Sequence, residues 1–183
     1  MPDNPTETLV GYFAAHPHEL PAETRLALLD VDYRTVGPAI DRLLADKPAA
    51  LVLTGYSARA TGITLEAQAS ASCAADKPDA TGFVARPDPA PVLATTIDLA
   101  RLQAAIAPHA SCTLSQDAGQ YLCNFAYRHA LAEVAARGLV TRVLFVHLPA
   151  IAGTPLAATA AASLPLTVMA SALARIAREL AED

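Results

Sequence analysis

Apolar positions recur along this chain at two spacings, one helical and one extended, and the two alternate from end to end. Asn4, Pro5 and Glu7 make a cap, first-turn and third-position set, after which Leu9, Val10 and Phe13 follow at helical spacing until Pro17. An opening helix is predicted there. Residues 24–31, TRLALLDV, have the length and composition of a buried strand. Pro38 then marks the start of a short helix with Ile40, Leu43 and Leu44 inward, ending before Pro48. The run AALVLTG at 49–55 is apolar and closed by a glycine, as a parallel strand covered on both faces would be. Residues 63–72, ITLEAQASAS, can alternate as a strand, whereas 73–96 are rich in Pro, Asp and Ala and predict a long, mostly irregular excursion.

The second half continues the alternation. It reads as a helix at 97–107, a strand at 110–114, a long helix at 118–137 closed by Gly138, and the strand RVLFVH at 142–147. A last helix opens at Ser163 and Pro165 and carries Leu166, Met169, Leu173, Ile176 and Leu180 on one stripe. The order of elements predicts a single α/β domain over 1–183, a three-layer α/β/α sandwich around a mostly parallel sheet.

Composition narrows the function classes. With 183 residues the chain can bury a sizeable core without disulfides or metal. Its 53% hydrophobic content includes much alanine, and no apolar run approaches the ~18 residues that a membrane span needs. The opening MPDNPTETLVGY has neither a basic stretch nor a continuous apolar one, so no secretory signal is expected. Three cysteines without CxxC spacing suggest neither a disulfide framework nor a zinc site, and a reducing cytoplasm fits them best. A net charge of −5 without a basic cluster argues against nucleic acid, and no GxxxxGK loop is present to hold a nucleotide. No cofactor is expected.

Three side chains fall where α/β proteins gather reactive groups, beyond strand ends and at the starts of the following helices. Cys123 follows a strand and the polar turn SQDAG, so it lies near the start of its helix, where the dipole and free backbone N–H groups favour negative charge. His147 ends RVLFVH just before Leu148 and Pro149, in position to exchange a proton with a thiol. Glu66, in the third candidate strand, can orient the histidine through its other ring nitrogen. Each residue also has a plainer role: Cys123 as a small apolar side chain in a core, His147 as a polar cap to the sheet, Glu66 as a solvated strand residue. Spacing alone leaves both sets open. Cys112 and Cys73 are assigned to structure. No pair among His16, His18, His109 and His129 has a carboxylate or thiol at convincing metal-site spacing in the sequence.

At SQDAGQYLCN the chain resembles the pyroglutamyl peptidase I family, the C15 cysteine peptidases, through Ser115, Ala118, Gly119, Tyr121, Leu122, Cys123 and Asn124. The family's aliphatic-His-aliphatic-Pro pattern is matched by Val146, His147, Leu148 and Pro149, and its Ile-x-x-Glu pattern by Ile63 and Glu66 after Gly55. Weaker likenesses are NPTE at 4–7 and Pro78, Asp79 and Gly82 in the excursion. The resemblance implies a cysteine peptidase that removes an N-terminal pyroglutamyl residue from peptides, with Cys123, His147 and Glu66 catalytic. It also implies assembly into homo-oligomers, dimers or tetramers. The lactam pocket would draw on Leu122 and on the loop after Gly55, with Tyr56 and Arg59. Two departures set further expectations. The family has a first strand and a Phe- and Gly-rich loop before the NPTE-like segment, so this sheet is expected to lack that strand. A Gly-Arg pair in the family's loop is here Ala58-Arg59, and small residues near Ala71 replace an asparagine. A shortened relative that binds without catalysis, or takes another small acyl amide, is the alternative that these departures raise.

Overall fold

The computed structural model describes residues 3–72, 74, 76–86 and 90–182. Helix α1 spans Pro5–Ala15, α2 Tyr33–Ala45, α3 Leu99–Ile106, α4 Leu122–Ala136 and α5 Leu166–Glu182. The strands are β1 (Ala50–Tyr56), β2 (Ile63–Glu66), β3 (Gln68–Ala69), β4 (Leu93–Ala94), β5 (Cys112–Ser115), β6 (Arg142–Leu148), β7 (Ala150–Ile151) and β8 (Ser163–Leu164). The central sheet has the order β1-β6-β2-β5, while β3 pairs with β4 and β7 with β8 in two small ribbons. No helix is long and apolar enough to cross a membrane, among the described residues.

Two of the three central pairings are parallel, β1 with β6 and β2 with β5; β2 runs antiparallel to β6. Loop length explains the reversal. Only residues 57–62 join β1 to β2, and a parallel crossover needs roughly a dozen residues or more. The chain therefore turns back and lays β2 on the far side of β6.

Strand alternation then divides the core between the two faces. Leu144, Val146 and Leu148 of β6 join Ile63 and Leu65 of β2 in the cluster that contains Leu9 and Phe13 of α1, Ile106 of α3, and Met169 and Ile176 of α5. Val143 and Phe145 face the other way and pack with Leu53 of β1, Val36 and Ile40 of α2, and Tyr127 and Ala130 of α4. Helices thus cover both faces, as the alternation of the sequence predicts.

The segment expected as a strand at 24–31 is not one. Between residues 25 and 30 no backbone–backbone hydrogen bond forms among the described residues. Leu26, Leu28 and Val31 are 39%, 55% and 46% exposed, and only Leu29 packs against a core. An apolar run of strand length needs a ladder partner as well as composition, and β1, at one end of the sheet order, does not pair with it. Helix α2 also begins five residues before the predicted Pro38. Asp32 caps it by accepting from Arg34 N–H at 2.8 Å, and Pro38 lies inside, forgoing only the bond its missing N–H would have given to Arg34 C=O. The predicted strand 63–72 is divided into β2 and β3, and the excursion after it is mainly irregular, with β4 near its end. Cys73 lies outside the described residues.

Candidate active site

The β2–β6 register brings the first two groups together. Thr64 stands opposite His147 and Glu66 opposite Phe145, so Glu66 is the diagonal neighbour of His147 on the same face of the sheet. Its Oε1 lies 2.7 Å from His147 Nδ1. Both are buried, Glu66 at 1% and His147 at 8% exposure, and Glu66 Oε2 has no hydrogen-bond partner among the described residues. Among the described residues, the carboxylate thus directs its one side-chain hydrogen bond to the imidazole. Tyr127 of α4 fixes the strand end from above, donating from its hydroxyl to Glu66 C=O at 2.9 Å, and its ring lies 5.9 Å from that of Phe145. Phe145 in turn flanks the His147 ring at 4.8 Å.

The thiol arrives from α4. The sequence places that helix at 118–137; it starts at Leu122, after Gly119 turns the chain with φ +84°. Cys123 is therefore the second helical residue. Helices α1, α2 and α3 are capped by the side chains of Asn4, Asp32 and Asp98, but Tyr121 offers no side-chain cap to α4. Its first-turn N–H groups remain available to another acceptor. Burial alone would lower the His147 pKa, but hydrogen bonds and charge from Cys123 and Glu66 outweigh it and push the pKa up to about 9. With Nδ1 committed to Glu66, the second ring nitrogen is left for the thiol. The structure thus pairs Glu66 with His147 directly and places Cys123 near enough to raise the charge on the ring.

The other cysteine and the proposed pocket residues separate clearly. Cys112, half-buried in β5, has its thiol pushed up to about 11 by burial. Leu122 is half-buried beside Cys123 and packs on the α2–α4 side. Arg59 is exposed in the loop after β1, its backbone N–H 3.4 Å from Ser57 Oγ. Strand alternation puts Tyr56 in the row of β1 that faces α1 and α5, one residue past Gly55, whose row faces Cys123.

Two anchors hold the surrounding loops and were not legible as such. Asn124, next to the thiol and buried, accepts from Ser70 N–H at 2.9 Å and donates to Ser70 C=O at 2.8 Å and Ser72 C=O at 3.1 Å. Asp79 is the second. Its Oδ1 accepts from Thr81 N–H, Thr81 hydroxyl and Phe83 N–H at 2.9, 2.7 and 2.9 Å, and its Oδ2 from Tyr33 N–H at 2.9 Å. The preceding Pro78 C=O accepts from Tyr121 hydroxyl at 3.0 Å, and Tyr33 meets Phe125 edge-on at 5.1 Å. Asp79 thereby ties the 78–83 loop and the start of α2 to the residues flanking Cys123.

Desolvation opposes the Asp79 charge, yet the bonds from Thr81, Tyr33 and Phe83 hold its pKa well below the ordinary 3.8. The sign follows from linkage. Asp79 contributes stability above its unfolded value of 3.8 and loses it as pH falls towards the folded one. Asp79→Asn is expected to lower the melting temperature at pH 7, with the gap to wild type shrinking below pH ~4; melting curves across that range measure it, and a gap independent of pH contradicts the assignment.

Sequence spacing gives no metal set, but the fold brings Asp41, His129 and Glu133 together. Arg137 already answers their charge, with Nη2 2.9 Å from Asp41 Oδ1 and Nε 2.8 Å from Glu133 Oε2. His129 Nε2 lies 3.0 Å from Asp41 Oδ1.

An α/β sandwich that sets a thiol at an uncapped helix start against a buried imidazole and carboxylate has the side-chain set of a cysteine hydrolase. The chain belongs to the pyroglutamyl peptidase family, whose model matches residues 23–182. A pyrrolidone-carboxylate peptidase of Deinococcus radiodurans is 35% identical over 169 residues, 87% of this chain and 77% of that protein. One of Thermococcus onnurineus is 31% identical over 128 residues, 66% of this chain and 64% of that protein. Among solved structures, the pyrrolidone carboxyl peptidase of Pyrococcus furiosus superposes with a TM-score of 0.83 at 20% identity, covering 98% of this chain and 91% of that one. That of Thermococcus litoralis gives 0.79 at 22% identity, covering 98% and 86%. At these identities the structural likeness is one of fold.

Proposed function

We propose that this chain removes an N-terminal pyroglutamyl residue from peptides through an acyl-enzyme on Cys123. Family membership supports the substrate class, and the observation that carries the mechanism is the buried Glu66–His147 pair at 2.7 Å beneath Cys123 at the start of α4.

The chemistry follows from these positions. Cys123 Sγ, as thiolate, attacks the carbonyl carbon that joins the lactam to the next residue, and the carbonyl electrons move onto oxygen. The uncapped N–H groups of α4 stabilise that oxyanion. As the intermediate collapses, the C–N bond breaks and protonated His147 gives its proton to the departing amine, leaving a thioester. His147 then takes a proton from water, the hydroxide adds to the thioester, and pyroglutamate leaves with the Cys123 sulfur restored. Glu66 positions the imidazole and balances its charge throughout.

A small, uncharged lactam needs apolar walls and a few hydrogen bonds rather than a charged anchor. Leu122 supplies such a wall, and the loop that follows Tyr56 at the end of β1, with Arg59, is assigned to the rim. The test is turnover of a fluorogenic pyroglutamyl amide beside the prolyl amide, which differs by carrying a charged ring amine in place of the neutral lactam. The expected kcat/KM ratio is on the order of 10³ in favour of the lactam. A folded sample that turns over neither amide, or both equally, rejects the assignment.

A further inference from the structure

Gly55 stands near the end of β1, paired with His147 in the parallel ladder. A glycine within a strand weakens it, because it adds no side chain to the packing and loses more conformational freedom on folding than other residues. A left-handed backbone would account for one. Gly55 does not have it: the glycines with positive φ are Gly82, Gly119, Gly138 and Gly153.

The surroundings supply the reason. A Cβ built on Gly55 would lie 2.8 Å from Cys123 Sγ and 3.0 and 3.3 Å from the Cζ and Cε1 atoms of the Phe145 ring. Favourable contact between such atoms begins at roughly 3.5 Å. The sulfur therefore occupies space that any side chain at this position would claim.

We infer that Gly55 is a positioning residue for the reaction, its missing side chain leaving the place in which the Cys123 sulfur is held within reach of His147. The inference rests on the roles given to Cys123 and His147 above. The α4 first turn brings the sulfur down onto the sheet, the Phe145 ring stands beside it, and the bare backbone of Gly55 lies beneath it. A cysteine side chain has three staggered positions. A methyl group at residue 55 collides with the one found here, and rotation into another carries the sulfur away from the imidazole. The backbone need not move for this to happen.

Gly55→Ala in the full chain tests the inference, with three readings that a purely structural role would not shift together. On the pyroglutamyl amide, kcat is expected to fall about 100-fold, the cost of a displacement near 1 Å, while KM stays within about twofold. Alkylation of Cys123 by iodoacetamide at pH 7.5, followed by mass spectrometry of its peptide, is expected to slow about tenfold as the thiol loses its imidazole partner. The His147 ring, titrated by NMR, is expected to lose part of its elevation from the ordinary 6.5 towards 9, since one of its two partners has moved. Gly11→Ala, a site on α1 with nothing near the added carbon, leaves all three unchanged.

A folded Gly55→Ala variant with wild-type kcat and an unmoved His147 titration overturns the inference. Should that variant not fold, Gly55→Ala combined with Cys123→Ala decides. Folding of the double variant places the conflict on the sulfur and supports the inference, whereas its failure places the conflict on the Phe145 ring and overturns it. If the wild-type chain turns over no pyroglutamyl amide, the proposed function fails, yet alkylation and the His147 titration still decide the role of Gly55.

Discussion

Cys123→Ala is expected to lower kcat for a pyroglutamyl amide by at least about 10⁴-fold while the chain stays folded, the size of effect that follows loss of a covalent nucleophile. The fold should tolerate the change because Cys123 is only partly buried and alanine is a good helix residue at this position. Cys112→Ala is the internal comparison. Its thiol, pushed up to about 11 by burial in β5, is protonated at neutral pH, so its removal should leave kcat within about twofold of wild type. The same contrast should appear in alkylation: iodoacetamide at pH 7.5 labels Cys123 first, and its labelling tracks the loss of activity. The assignment is lost if Cys123→Ala retains more than about one hundredth of wild-type turnover, or if alkylating Cys112 alone abolishes it. The His147 ring gives a separate check, since removing the sulfur takes away the first of the hydrogen bonds that raise its pKa.

Why the three residues could be named in advance, while other parts of the molecule could not, is a matter of interaction range. Local signals served well where the physics is local: Asn4 and Pro5 start α1, the apolar runs mark β1 and β6, and SQDAG turns the chain into α4 through a left-handed Gly119. The motif around Cys123, with the His147 and Glu66 patterns, identified site candidates whose separate spacings were ambiguous. Pairing is less local. The run at 24–31 has strand composition but no ladder, and nothing in its own residues distinguishes it from one that has found a partner. Asp32, which starts α2 well ahead of the conspicuous Pro38, was obscured because a proline is a stronger sequence mark than a cap. Asp79 and Gly55 act through space on residues 46 and 68 positions away, Tyr33 and Cys123, so their roles emerge only once the chain is folded.

Glu66→Gln tests the other half of the site, and its largest effect is expected in the pH dependence. Glutamine keeps the shape and can still accept from the His147 ring, but it withdraws the negative charge and buries an amide where Glu66 Oε2 has no hydrogen-bond partner among the described residues. The folded His147 pKa of about 9 exceeds its ordinary 6.5, so protonated His147 contributes stability that is fully present below 6.5 and is lost as pH rises through about 9. On the proposed mechanism turnover needs the same proton for the leaving amine, so wild-type activity should fall on the alkaline side near that value. In Glu66→Gln the alkaline limb should move down by at least about one pH unit, and kcat at the optimum should drop on the order of 10³-fold through loss of the charge that holds the imidazolium. Melting temperatures supply the independent reading: the wild type should lose stability between pH 6 and pH ~9.5, and the variant should lose less of it over that interval because its histidine has already given up most of its elevation. An unchanged alkaline limb together with an unchanged pH dependence of melting would show that Glu66 does not set the charge of His147, and the carboxylate would then have to be treated as a packing residue.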